Sequence, residues 1–142
     1  MANTTALIKE IYPYVLKEVV LKTTIKLSQK KLRIGDGERE KRFDGVSDDG
    51  ETILSIFTSS GYSKSGKSPT GKINALYACC YMMNLTKATR KILAFTSYEF
   101  MEIIQQKACG FLPGFELIYI ELPEALKEIT DDVQRLASIE MN

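Results

Sequence analysis

The chemistry open to this chain is set first by a residue that it lacks. Its 142 residues include no histidine, so Ser-His-Asp and Cys-His triads, histidine-bound metals and imidazole general bases are excluded. Catalysis would have to run on carboxylates, lysines, hydroxyls or a metal held by oxygen. One phosphate-binding pattern stands out. Gly61-Tyr62-Ser63-Lys64-Ser65-Gly66-Lys67-Ser68 matches G-x-x-x-x-G-K-[ST], after an apolar β-prone run and before a helix start. In a P-loop the backbone N–H groups wrap the phosphates, the lysine reaches the β/γ oxygens and the serine binds Mg²⁺. Three features weigh against that use. Pro69 disfavours helical geometry at Ser68, the preceding strand reads as the second of a hairpin, and no downstream strand ends in aspartate. Glu121 after Leu117-Ile118-Tyr119-Ile120 is the nearest substitute. Nucleotide binding through 61–68 is therefore the lesser alternative.

Cys79, Cys80 and Cys109 form no C-x-x-C pair, and without histidine they carry no zinc signature. Neighbouring residues on a helix do not face each other, so Cys79 and Cys80 are not expected to pair. All three read as buried small hydrophobes in a reducing compartment, which points to the cytoplasm. No run approaches a membrane span, and Met1-Ala2-Asn3 opens no signal-peptide pattern.

The elements that must position any site follow from periodicity. Ile8, Ile11, Tyr12, Val15, Leu16, Val19 and Val20 have helical spacing over 5–21, with Pro13 kinking or restarting the helix. Residues 24–34 read as a strand or strand plus turn, and Lys41–Val46 as a short strand. Ser47-Asp48-Asp49-Gly50 is a hairpin turn. Thr52–Ser59 reads as a central buried strand, and 60–71 as a Gly/Ser/Lys loop. Ser68 as cap and Pro69 at the first helical position start a helix with Ile73, Leu76, Tyr77 and Cys80 on one face. Lys91–Thr96 is a strand. Thr96 and Glu99 form a capping box for a helix through Ala108, which Gly110 ends. Phe115–Glu121 is a strand and Pro123–Ile139 a final helix. The chain thus reads as one domain over 1–142, α/β bordering on α+β, with a small mixed β-sheet flanked by helices.

Helix, three strands, helix, strand is also the core order of the restriction-endonuclease-like PD-(D/E)xK nucleases, which residues 5–97 resemble. In that superfamily an Asp at the end of one strand precedes a hairpin turn and a strand bearing E-x-K. Here Arg42-Phe43-Asp44-Gly45-Val46, the Ser47–Glu51 turn and Ile53-Leu54-Ser55-Ile56-Phe57-Thr58 occupy those places. The resemblance implies a Mg²⁺-dependent phosphodiester hydrolase acting on DNA or another nucleic acid, with Asp44 as the first carboxylate. Paired carboxylates would hold the ion that clamps the phosphate and generates hydroxide. The departure is that Ser55 and Phe57 stand where Glu and Lys belong. Glu38 or Glu40 would then have to supply the second metal ligand, and Lys64, Lys67 or Lys72 the catalytic cation, with Glu10 or Glu18 as outer ligands. The alternative is an inactive nuclease-like module that binds or oligomerises.

Charge is unevenly spread. Residues 22–91 carry 14 basic and 7 acidic side chains, and residues 92–142 carry 3 basic and 9 acidic. Lys30, Lys31, Arg33, Lys41, Arg42 and Lys64 in the basic part are the expected phosphate-backbone contacts. For a homo-oligomer the candidate surface is Tyr77, Tyr81, Met82 and Met83 on the helix over 69–86.

Overall fold

The computed structural model describes residues 5, 7–61, 66 and 68–130. A π-helical turn, Leu7–Ile11, leads into α1, Tyr12–Thr23, with Pro13 in the opening turn where its missing N–H breaks no bond. Pro13 stands where the π-helical turn gives way to the α-helix. Ile11, Val15 and Val19 form the buried stripe. Thr24 ends the helix in a left-handed conformation, its N–H donating to the Val20 carbonyl.

Next come β1 (Leu27–Arg33), β2 (Glu40–Ser47) and β3 (Thr52–Phe57), then α2 (Thr70–Asn84) and β4 (Arg90–Phe95). α3 (Tyr98–Lys107), β5 (Phe115–Tyr119) and a helical segment at 124–130 follow. The strands lie in the order β1-β2-β3-β4-β5. β1, β2 and β3 form an antiparallel meander, while β3–β4 and β4–β5 are parallel. This is the mixed α/β sheet expected of a hairpin followed by helical crossovers.

Side-chain alternation divides the core in two. Ile53, Leu93 and Phe95 face α2 and α3, while Leu54, Ile56, Ile92 and Ala94 face α1 and the 122–130 segment. With both faces covered, β3 and β4 must be apolar at nearly every position, which is why they read as continuous hydrophobic runs.

The expected β2–β3 turn forms, while the helix caps and two cysteines differ from expectation. At the β2–β3 turn Gly50 takes φ 73°, and its N–H donates to the Ser47 carbonyl at 3.0 Å. Asp49 Oδ1 accepts from the Ser47 hydroxyl at 2.6 Å and the Glu51 N–H at 3.0 Å. α2 starts one residue later than the Ser68-Pro69 pattern suggests: Pro69 is the cap residue and no side chain caps the helix. α3 is capped by Ser97, whose hydroxyl accepts the Phe100 N–H at 3.2 Å, and not by Thr96. The cysteines are free, but only Cys80 is buried; Cys79 is half-buried and Cys109 exposed. Ala108, just past the end of α3, takes the inward place, leaving Cys109 outside. Among the described residues no helix is long and apolar enough to cross a membrane.

Candidate functional site at the strand split

The β1–β2 register passes from Ser28 opposite Val46 to Lys30 opposite Phe43. Asp44 and Gly45 therefore stand against Gln29 alone, which is a β-bulge. Gly45 is what allows the bulged strand to lie under α1. A Cβ there would sit 3.1 Å from Leu16 Cδ1 and 3.2 Å from the Cβ atoms of Leu27 and Leu54. Because the bulge turns β2 away, the β2–β3 ladder consists of Gly45–Leu54 and Val46–Ile53. Beyond it, Asp44 Oδ2 accepts the Ile56 N–H at 2.7 Å. The carboxylate supplies the acceptor that the departing backbone no longer offers.

Burial pushes the Asp44 carboxyl above its ordinary value, against the opposing pull of the Ile56 N–H and of Lys41. Tyr12 on α1 is raised by its own burial and then by the Asp44 charge. On the α2 side, the Cys79 thiol donates to Ser55 Oγ at 3.2 Å, and the Ser55 hydroxyl donates to Met83 Sδ at 3.5 Å. Burial raises Cys79 and pushes Cys80 up to about 12, so both are neutral thiols and not nucleophiles at neutral pH. Ser55 is 5% exposed. Phe57 stacks on Phe95 with ring centroids 5.5 Å apart. The two positions that would carry Glu and Lys thus hold a core hydroxyl and a stacked ring.

The other expected site residues are scattered. Glu38 lies at the tip of the β1–β2 hairpin, inside the turn closed by the Ile34 N–H on the Arg39 carbonyl. From Glu40 to Asp44 alone β2 rises about 13 Å, so neither Glu38 nor Glu40 can share an ion with Asp44. Lys72 is exposed in the first turn of α2, about 10 Å of helix rise from Cys79. Lys64 and Lys67 lie outside the described residues. Among the described residues no three Asp, Glu or Cys side chains gather where they could hold a metal ion. Asp44 brings a single carboxylate among the described residues, whereas Mg²⁺ asks for several oxygens. Ser68 precedes α2 instead of standing in its first turn, unlike the serine of a P-loop.

The basic residues separate by strand alternation. Lys31 stands directly opposite Arg42, and Arg33 opposite Glu40, on one exposed face of the ribbon. Lys30 and Lys41 pair with Phe43 and Leu32 and so belong to the other face, where Leu32 and Ile34 pack against the α2-side core. The Gly35 N–H donates to the Leu85 carbonyl at 2.9 Å, fastening the hairpin tip near the end of α2. Lys41 Nζ lies 5.3 Å above the Phe43 ring, close enough to Asp44 to favour its charged form. Sequence reasoning placed Lys41 among the phosphate contacts and missed it as the cation of the split; its place three residues before Asp44 was the available signal. Nothing in the sequence pointed to Tyr12 or Cys79. On α2, Met83 is fully buried, the Tyr77 hydroxyl reaches the Lys107 carbonyl at 3.4 Å, and Tyr81 is 64% exposed. No family model, curated protein or solved structure matches this chain.

Proposed function

We propose that this chain binds nucleic acid through the outward face of the β1–β2 ribbon, as a non-cleaving relative of the restriction-endonuclease-like nucleases. The observation that carries the reading is Lys31 set directly opposite Arg42 with Arg33 beside them. Like charges facing each other across an antiparallel pair are destabilising, and a phosphate backbone removes that repulsion. A two-stranded ribbon is also a shape that the major groove admits. The kinship is supported by the order helix, three strands, helix, strand, and by a carboxylate where β2 parts from β3. Ser55 and Phe57, bound into the core, support the non-cleaving form.

The test is fluorescence anisotropy of a labelled short DNA duplex against the wild-type chain and Lys31→Glu/Arg42→Glu, with a parallel incubation in Mg²⁺. The reading expects binding that the double variant loses and a duplex left intact. Binding indifferent to the double variant would remove the ribbon from the account. Mg²⁺-dependent cleavage lost in Asp44→Ala would replace the non-cleaving form with an active nuclease.

A further inference from the structure

The chain segments that follow β4 and β5 leave the sheet toward opposite faces. α3 packs Phe100, Met101, Ile103 and Ile104 into the core under α2, whereas Leu122, Leu126 and Ile129 enter the core under α1. Where adjacent parallel strands send their continuations to opposite faces, a crevice opens at their C-terminal ends, and open α/β sheets bind ligands there. In this chain a cavity of about 230 Å³ occupies that place, bounded by Thr58 beyond β3, Thr96 and Tyr98 beyond β4, Tyr119 at the end of β5, and Lys127.

We propose that this crevice binds a nucleoside monophosphate. Among the described residues no carboxylate lines it, and the charged lining side chain is Lys127. The Lys127 ammonium is 3.9 Å from Glu121 Oε1 in a half-exposed pair. So long and solvated a contact contributes little and yields to a dianion. The hydroxyls of Thr96 and Tyr119 add donors for phosphate or ribose oxygens. A cavity of this size takes a phosphate and a sugar and leaves the base at the mouth. There Tyr98 is 53% exposed, its ring held edge-to-face against Tyr119 at 5.4 Å. A ring so anchored offers its open face for stacking. The site shares no residue with the β1–β2 ribbon and does not rest on the nucleic-acid reading.

Calorimetric titration of the full chain with AMP, and separately with inorganic phosphate, tests this. The expected result is saturable one-to-one binding of AMP, with phosphate weaker. Lys127→Gln should weaken both by about tenfold or more, the scale of a lost charged hydrogen bond. Tyr98→Ala should weaken AMP about tenfold, as loss of a stacking partner does, and leave phosphate unchanged. Lys127→Gln should leave the thermal midpoint at the wild-type value. Tyr98→Ala also loses the edge contact with Tyr119, and its retained phosphate affinity shows that the site is still folded. No saturable binding of AMP to the wild-type chain would overturn the proposal, as would an AMP affinity that Lys127→Gln leaves unchanged.

Discussion

Asp44 carries two opposed demands in one side chain. Its carboxylate is the acceptor for the Ile56 N–H, yet burial disfavours the charge that makes it a good acceptor. Asp44→Ala removes the acceptor and strands a backbone donor, so it should destabilise the fold by about 1–3 kcal/mol. Asp44→Asn keeps an oxygen for the bond without the charge, and its urea midpoint at neutral pH should equal or exceed that of the wild type. The pH dependence has a definite sign. A carboxyl whose folded pKa lies above its ordinary 3.8 binds its proton more tightly when folded. Its contribution is therefore fully present below 3.8 and is lost as pH rises through the folded value. The stability of the wild type relative to Asp44→Asn should fall across that interval, and a relative stability that rises would contradict the burial argument. In the sequence Asp44 was a candidate through the resemblance of its strand–turn–strand setting to that of the PD-(D/E)xK nucleases. Its partner, Ile56, was hidden, because a bulge that redirects a strand leaves no periodic trace. That Ser55 and Phe57 stand where the nuclease resemblance would place Glu and Lys was legible at once.

At the scale of elements, the bulge and the caps decide the geometry. Gly45 faces two Cβ atoms that cannot retreat without moving β1 and β3. Gly45→Ala should therefore cost about 1–3 kcal/mol by overpacking, read as a lowered thermal midpoint. The cap of α3 separates two readings of the same segment. Ser97→Ala should cost about 0.5–2 kcal/mol, the usual worth of an N-cap, while Thr96→Ala should leave the midpoint nearly unchanged. The reverse order would restore the capping box at Thr96 and Glu99. Thr96 and Ser97 are adjacent hydroxyl residues before one helix, and spacing to an acid chose the wrong one. The structure chooses Ser97 because its backbone is extended and its hydroxyl meets the Phe100 N–H. The strands themselves were legible from composition: β3 and β4 are apolar because both faces of the sheet are covered. The β1–β2 ribbon was the least legible. Its apolar face sets Leu32, Ile34, Phe43 and Val46 among charges and across a bulge, which breaks any plain period of two.

Over the whole molecule, the two outer strands of the sheet differ in charge. β1 carries Lys30, Lys31 and Arg33, while β5 carries one charged residue, Glu116, tied to Arg90 at 2.6 Å. Lysines on an outer strand can serve merely to block edge-to-edge pairing, and that role competes with nucleic-acid binding as their explanation. The two roles differ in what charge reversal does. Lys31→Glu replaces a like-charged pair with an opposite one and should stabilise the fold by about 0.2–1 kcal/mol, seen as a higher urea midpoint. If the lysines only guard the edge, that variant gains stability and loses nothing else. The most direct measurement is the dependence of duplex affinity on salt concentration for the wild-type chain and for Lys31→Glu/Arg42→Glu. The account predicts a steep decline of log affinity with log salt in the wild type. It also predicts a slope about two units shallower in the double variant, one for each phosphate contact removed. Equal slopes in the two proteins, or no measurable affinity of the wild type at low salt, would contradict it.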